Sequence, residues 1–337
     1  MQHSAGLMSF FLPGHEMQET QNKIQAFRLF AYVDQELHLP EKRVEPLDVL
    51  TRHALALSNF RKIWALEGVA HLYANTEIAK GPVSGMLLDP NIPENAMVPM
   101  HAGMGTAFGG VVLAKLGDDP SKSSVRDALK RFFELCQANS RPGWMENAVE
   151  PMGLAVRSLH PHLLSRVSDA MGEIDIHAQR LFWHGVGRSL YFVPMNFVTI
   201  AAAHERALKA AIAEAPTLED RRNAVAGLVW AVTLVNLCHP AVLKNLLRAC
   251  EGIRMRSASI NGIVSALMVW KHMVPADREL LGPYLRQGSG SSHDVQLWND
   301  YVAGPSLHAF DEIYHTLLAE GRVASVFQYH EPFRDLE

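Results

Sequence analysis

Apolar side chains recur along this chain mostly at three- and four-residue intervals, the spacing of one helix face. In "SSVRDALKRFFELCQA" (123–138), Val125, Leu129, Phe132, Phe133 and Cys136 fall on a single stripe behind serines suited to cap a helix. "HPHLLSRVSDAM" (160–171) and "HPAVLKNLLRAC" (239–250) each place a proline, Pro161 or Pro240, where a first helical residue belongs. "TLEDRRNAVAGLVWAVTLVNL" (217–237) opens with Thr217 and Asp220 in the spacing of a capping box and runs on apolar to Leu237. Alternating, strand-like runs are few, and "GRVASVFQYH" (321–330) is the main one. The pattern predicts an all-α fold.

A second, slower pattern overlies the first. "EGVAHLY" from Glu67, "AGMGTAF" from Ala102, "EPMGLAV" from Glu150, "HGVGRSL" from His184, "AGLVWAV" from Ala226 and "NGIVSAL" from Asn261 align on their second residue. That residue is Gly68, Gly103, Pro151, Gly185, Gly227 and Gly262, at separations of 35, 48, 34, 42 and 35. Periods of this size are those of stacked helical hairpins, as in α-solenoids. Glycine inside a helix costs about 1 kcal/mol against alanine, so its recurrence calls for close approach of a neighbouring backbone. The expected organisation is an N-terminal helical arm (1–45, helix near 19–37), a helical repeat body (46–275), and a loop with a C-terminal helix (276–337). "LRQGSGSSHDVQ" (285–296) reads as flexible by composition, and the last helix, near 305–320, stops at Gly321. One continuous body is expected.

Composition narrows the partners. The 337 residues carry a net charge of −4 without a basic stripe, which argues against nucleic acid. Three cysteines, Cys136, Cys238 and Cys250, form no CxxC pair and read as buried apolar side chains in a reducing compartment. "GLMSFFLPG" lacks a preceding positive charge, and no apolar run reaches the roughly 18 residues of a membrane span. A soluble, cytoplasmic protein is the expectation.

Candidate chemistry is sparse. Among 17 histidines, only "EIYH" (Glu312 to His315) has di-iron spacing, without a second copy, and Glu67 with His71 forms one i, i+4 pair, so no metal site is expected. There is no GxSxG elbow and no P-loop, and "GMGTAFGG" follows no strand, so no cofactor is named. What stands out is the set of polar residues on or beside the repeat helices: Glu67, Glu150, His184 and Arg188, with Asn261 in the matching place. His71, His101, Arg157 and Tyr191 accompany them, and Trp64, Trp144, Trp183 and Trp230 would frame the space. A buried guanidinium demands a carboxylate, so Arg188 should face one. Two readings stay open: an ion pair fixing the register of neighbouring helices, or a pocket. In the pocket Arg188 would hold an anionic or carbonyl end, His184 would exchange a proton, and Glu67 or Glu150 would orient them.

The order of motifs resembles a bacterial family of uncharacterised proteins found in enediyne polyketide gene clusters. The similarity spans about 55–275. It lies in "FRKIWALEGVAHLYA", "MVPMHAGMGTAFGGVVLAKL", "FWHGVGRSLYFVP", "AVAGLVWAVTL" and "SASINGIVSALMVW", and Gly185, Gly187 and Arg188 match best. Tyr191 and Phe192 stand where that family has a Trp-Phe pair, and Pro151 and Met152 interrupt its Gly-Phe-His run. The resemblance implies an accessory protein or enzyme of secondary metabolism handling an apolar, polyketide- or polyene-like metabolite. The rival is a non-catalytic helical-repeat scaffold whose surface takes another protein. Self-association or a protein partner fits either.

Overall fold

The computed structural model describes residues 14–39, 45–58, 60–200 and 202–327. They are all-helical, with no strand among them. The helices that build the core are α1 (Gly14–Ala31), α2 (Arg61–Lys80), α3 (Met97–Leu113), α4 (Lys122–Asn139), α5 (Met145–Val149), α6 (Pro151–Leu159), α7 (Ile176–Phe192), α8 (Leu218–Val235) and α9 (Arg256–Met273).

Their starts follow local chemistry. Ser121 caps α4 by accepting the Ser124 amide, and Asp175 caps α7 by accepting the His177 amide at 2.8 Å. Thr217 and Asp220 form the full capping box of α8. After His160 and His239, the prolines begin short 3₁₀ turns, Pro161–Leu163 and Pro240–Val242, that run into longer helices.

Helices α2, α3, α7, α8 and α9 each bury an unbroken run of residues, and so are enclosed on every side there. Each packs on the next in the series α1, α2, α3, α6, α7, α8, α9. Glycine permits the closest of these contacts. A β-carbon on Gly153 of α6 would overlap the carbonyl oxygen of Phe182 in α7, and one on Gly185 of α7 would overlap that of Glu150. Gly187 meets Ala224 of α8 in the same way, and Gly227 of α8 meets His184 in return. Gly103 rests on Glu67 of α2 and Gly262 on Ala226 of α8. In the third aligned passage, therefore, the close contact belongs to Gly153 and not to Pro151, which instead opens α6 at its first residue.

One expectation is qualified and two change. The stretch Glu94–Leu113 is long and apolar enough to cross a membrane, though 83% of its apolar window is buried inside the protein. The Gly/Ser-rich stretch 285–296 is helical from Ser292, because Ser291 accepts the Asp294 amide and Arg248 anchors Asp294 at 2.8 Å. That last helix continues through π-helical turns at Asn299–Ala303 and Ala309–Ile313 to Ala319, with Gly321 at φ +63° beyond it. Finally, the strand-like run after Gly321 forms a 3₁₀ turn, Val323–Phe327, whose alternating apolar residues are all buried; 328–330 lie outside the described residues.

Candidate functional site

Helix α7 buries a turn that carries both a histidine and an arginine. His184 and Arg188 are four residues apart and so share a face. The close α6–α7 approach sets Glu150, at the α5–α6 junction, against that face; α2 supplies Glu67. Arg188 Nη1 donates to Glu150 Oε2 at 2.8 Å, and Nη2 donates to Glu67 Oε1 at 2.8 Å. His184 Nδ1 lies 2.7 Å from Glu150 Oε1. All four side chains are buried, His184 and Glu150 completely.

Their ionisation follows from this geometry. Burial pushes the Glu150 carboxyl up, but the Arg188 charge and the His184 hydrogen bond outweigh it and leave it below its ordinary value. Burial also raises Glu67, and there the Arg188 contact offsets only part of the rise. Burial lowers His184, with Glu150 only partly compensating. Glu150 is thus the anion of the set and Glu67 the carboxyl that takes a proton first, a division that keeps the cluster near neutrality. An ionised Glu150 can only accept, so Nδ1 of His184 carries the imidazole proton and Nε2 keeps its lone pair.

Around this network the protein leaves polar atoms without partners. His184 Nε2, Arg188 Nε and Trp230 Nε1 are buried and find no hydrogen-bond partner among the described residues. The Arg188 guanidinium lies 5.0 Å from the Trp230 ring, and the His184 and Trp230 ring centres are 6.0 Å apart. The ring of Phe327 completes the group, 5.4 Å from each of those rings. Asn261, one residue before the glycine that packs on α8, has neither side-chain oxygen nor nitrogen bonded.

The structure brings Glu67, Glu150, His184, Arg188 and Trp230 together, while Tyr191, His101, His71, Arg157, Trp144 and Trp183 have other partners. Tyr191 points to a second buried cluster, donating to Glu19 Oε1 at 2.8 Å and accepting from Asn236 Nδ2. Lys23 of α1 completes that cluster: it lies over the Tyr191 ring and donates to the Asn196 carbonyl and the Thr199 hydroxyl. Burial, only partly offset by Glu19, takes Lys23 down to about 8. His204 Nε2 lies 2.9 Å from Glu19 Oε1. His101 is locked neutral, with Nδ1 against the Met97 carbonyl and Nε2 accepting the Arg141 amide. Trp144 stacks on His101 and lies tilted against His272, and Trp183 donates to Ser168 Oγ at 3.0 Å. Arg157 grips Glu214 through two hydrogen bonds near the surface. His71 sits against the Phe30 ring and Asn75, so the Glu67–His71 spacing makes no pair: Glu67 turns to Arg188. Glu312 pairs with His308 on the surface. Among the described residues, no group of three or more His, Cys, Asp or Glu side chains could hold a metal ion.

Sequence reasoning missed Phe327, because strand-like alternation hid a buried turn. It also missed Glu19 and Lys23, because a polar run such as "ETQNK" reads as a solvated face. What the assembled site can do is limited and specific: it offers an oriented imidazole with a free acceptor nitrogen, fixed from behind by a carboxylate, beside two rings. Comparison of the chain with protein-family models, with curated proteins and with solved structures finds no match.

Proposed function

We propose that the chain binds an apolar metabolite in its interior, against α7, α8 and the Val323–Phe327 turn, as an accessory protein or enzyme of secondary metabolism. A polyketide- or polyene-like ligand is the class that the sequence resemblance suggests. The observation that carries the reading is the unpartnered Nε2 of a fully buried His184 whose Nδ1 is fixed by Glu150. A buried acceptor without a donor costs roughly 1–3 kcal/mol, and a ligand hydroxyl or N–H removes that cost. His184 is the contact and proton acceptor, and Glu150 is its positioning residue. On this reading Arg188 holds the two glutamates rather than an anionic end, since Glu150 already balances its charge.

A second reading has its own support. A guanidinium joining α2 to the α6–α7 pair is what a register lock in a stack of helical hairpins requires, and the glycine contacts along the series suit such a stack. On that reading the body is a scaffold for a protein partner. Native mass spectrometry of protein purified from its own host separates the two. The binding reading expects an added small-molecule mass that is lost in His184→Phe with thermal stability kept. No added mass, or the same mass in the variant, overturns it.

A further inference from the structure

The Phe327 ring stands where three buried side chains leave polar atoms unmet. It contacts His184 and Trp230 but has no atom that can hydrogen-bond to His184 Nε2, Trp230 Nε1 or Arg188 Nε. We infer that the site takes a flat ring bearing a neutral hydroxyl, of phenol or enol type, in the place now filled by Phe327, whose turn withdraws as the ligand enters. This rests on the reading of the interior as a binding site.

The chemistry selects the class. The slot already holds a six-membered aromatic ring, so its shape fits a planar one. A hydroxyl is donor and acceptor at once: it can donate to the His184 lone pair and accept from an N–H of Trp230 or Arg188. A carboxylate is disfavoured, because Glu150 already balances the single charge of Arg188.

The turn is buried throughout but tied by few hydrogen bonds. It follows Gly321, whose φ of +63° is a conformation favouring glycine, and it has only five residues. Among the described residues its polar ties are light: Ser325 N–H returns to the neighbouring Arg322 carbonyl, and Asn147 Nδ2 reaches the Ala324 carbonyl at 3.5 Å, the far limit of a hydrogen bond. The Ser325 side chain meets Glu146. The rest of its hold is apolar, through Val323, Val326 and Phe327, which an apolar ligand can replace in kind.

The test uses the full chain, 2-naphthol with naphthalene as the comparison, tryptophan fluorescence for binding, and amide exchange across 321–327. Phe327→Ala should bind 2-naphthol at least tenfold tighter than the unmodified chain, and tenfold tighter than it binds naphthalene. In the unmodified chain, 2-naphthol should speed exchange at 323–327. Phe108→Ala, which opens the core of α3 instead, should not bind it. Equal affinity in Phe327→Ala and the unmodified chain, unchanged exchange at saturation, or equal binding by Phe108→Ala overturns the inference. If Phe327→Ala does not fold, Phe327→Leu replaces it with the same expected order. Adding His184→Phe to the Phe327 variant separates the two claims: loss of the preference for 2-naphthol supports both. Retained preference defeats the role of His184 while leaving the ring slot in place.

Discussion

Two glutamates touch the same arginine, yet they hold their protons differently. Glu150 sees both Arg188 and His184, whereas Glu67 has Arg188 alone to offset its burial. Replacing each by its neutral isostere should therefore give unequal results. Glu67→Gln substitutes an amide for the more readily protonated carboxyl and should change unfolding stability by less than about 1 kcal/mol. Glu150→Gln removes the anion that compensates two buried groups and should cost about 3 kcal/mol or more. Urea denaturation of the two variants measures the difference, and equal losses would contradict the assignment. Much of this site was legible in the sequence. The i, i+4 spacing put His184 and Arg188 on one face, and burial of an arginine demanded a carboxylate. Glu67 and Glu150 were both named as candidates, but that they hold Arg188 together was not legible, because only the helix packing decides it. Tyr191 lies in the same apolar strip as Arg188, and periodicity alone does not say that it turns toward α1.

At the scale of the helix, the glycine pattern makes a prediction of opposite signs. Gly110 in α3 has open space around the place of a β-carbon, so Gly110→Ala should gain about 0.5–1 kcal/mol from helix propensity. At Gly153 or Gly187 the same change drives a methyl group into a neighbour's carbonyl oxygen and should cost about 2 kcal/mol or more. Thermal unfolding of the three variants tests this, and a stabilised Gly187→Ala would undo the packing account. The elements themselves were readable from period and caps, as α4 and α8 illustrate. Elements that invert the usual pattern were not. Helix α1 buries Glu19, Thr20, Asn22 and Lys23 while Ile24 and Phe27 face outward, and the stretch after α7 buries Asn196 and Thr199 beneath exposed Met195. A hydrophobicity pattern assigns such residues to the wrong side, since their burial depends on polar partners far along the chain.

The whole molecule should be acid-sensitive for a reason visible in its core. Burial takes His101 down to about 4, from 6.5 when unfolded, and both ring nitrogens are committed to the neutral form. Between these values the unfolded chain binds a proton that the folded chain does not, so stability is lost as pH falls from about 6.5 toward 4. The loss assignable to His101 is ~3 kcal/mol at most. His71, likewise lowered to about 4 by burial, adds to it in the same direction. Chemical denaturation at pH 7 and pH 4.5 should show this slope, and His101→Gln should flatten it; an unchanged slope would remove His101 as its source.

All of the functional reading turns on one nitrogen. Two-dimensional ¹⁵N–¹H correlation through the imidazole of His184, in protein labelled at histidine and held at neutral pH without ligand, reports its proton directly. A neutral ring protonated at Nδ1 alone is expected, with the ¹⁵N shift of Nε2 in the range of an unprotonated nitrogen. A ring protonated at Nε2, or at both nitrogens, would leave no lone pair at Nε2 for a ligand to meet.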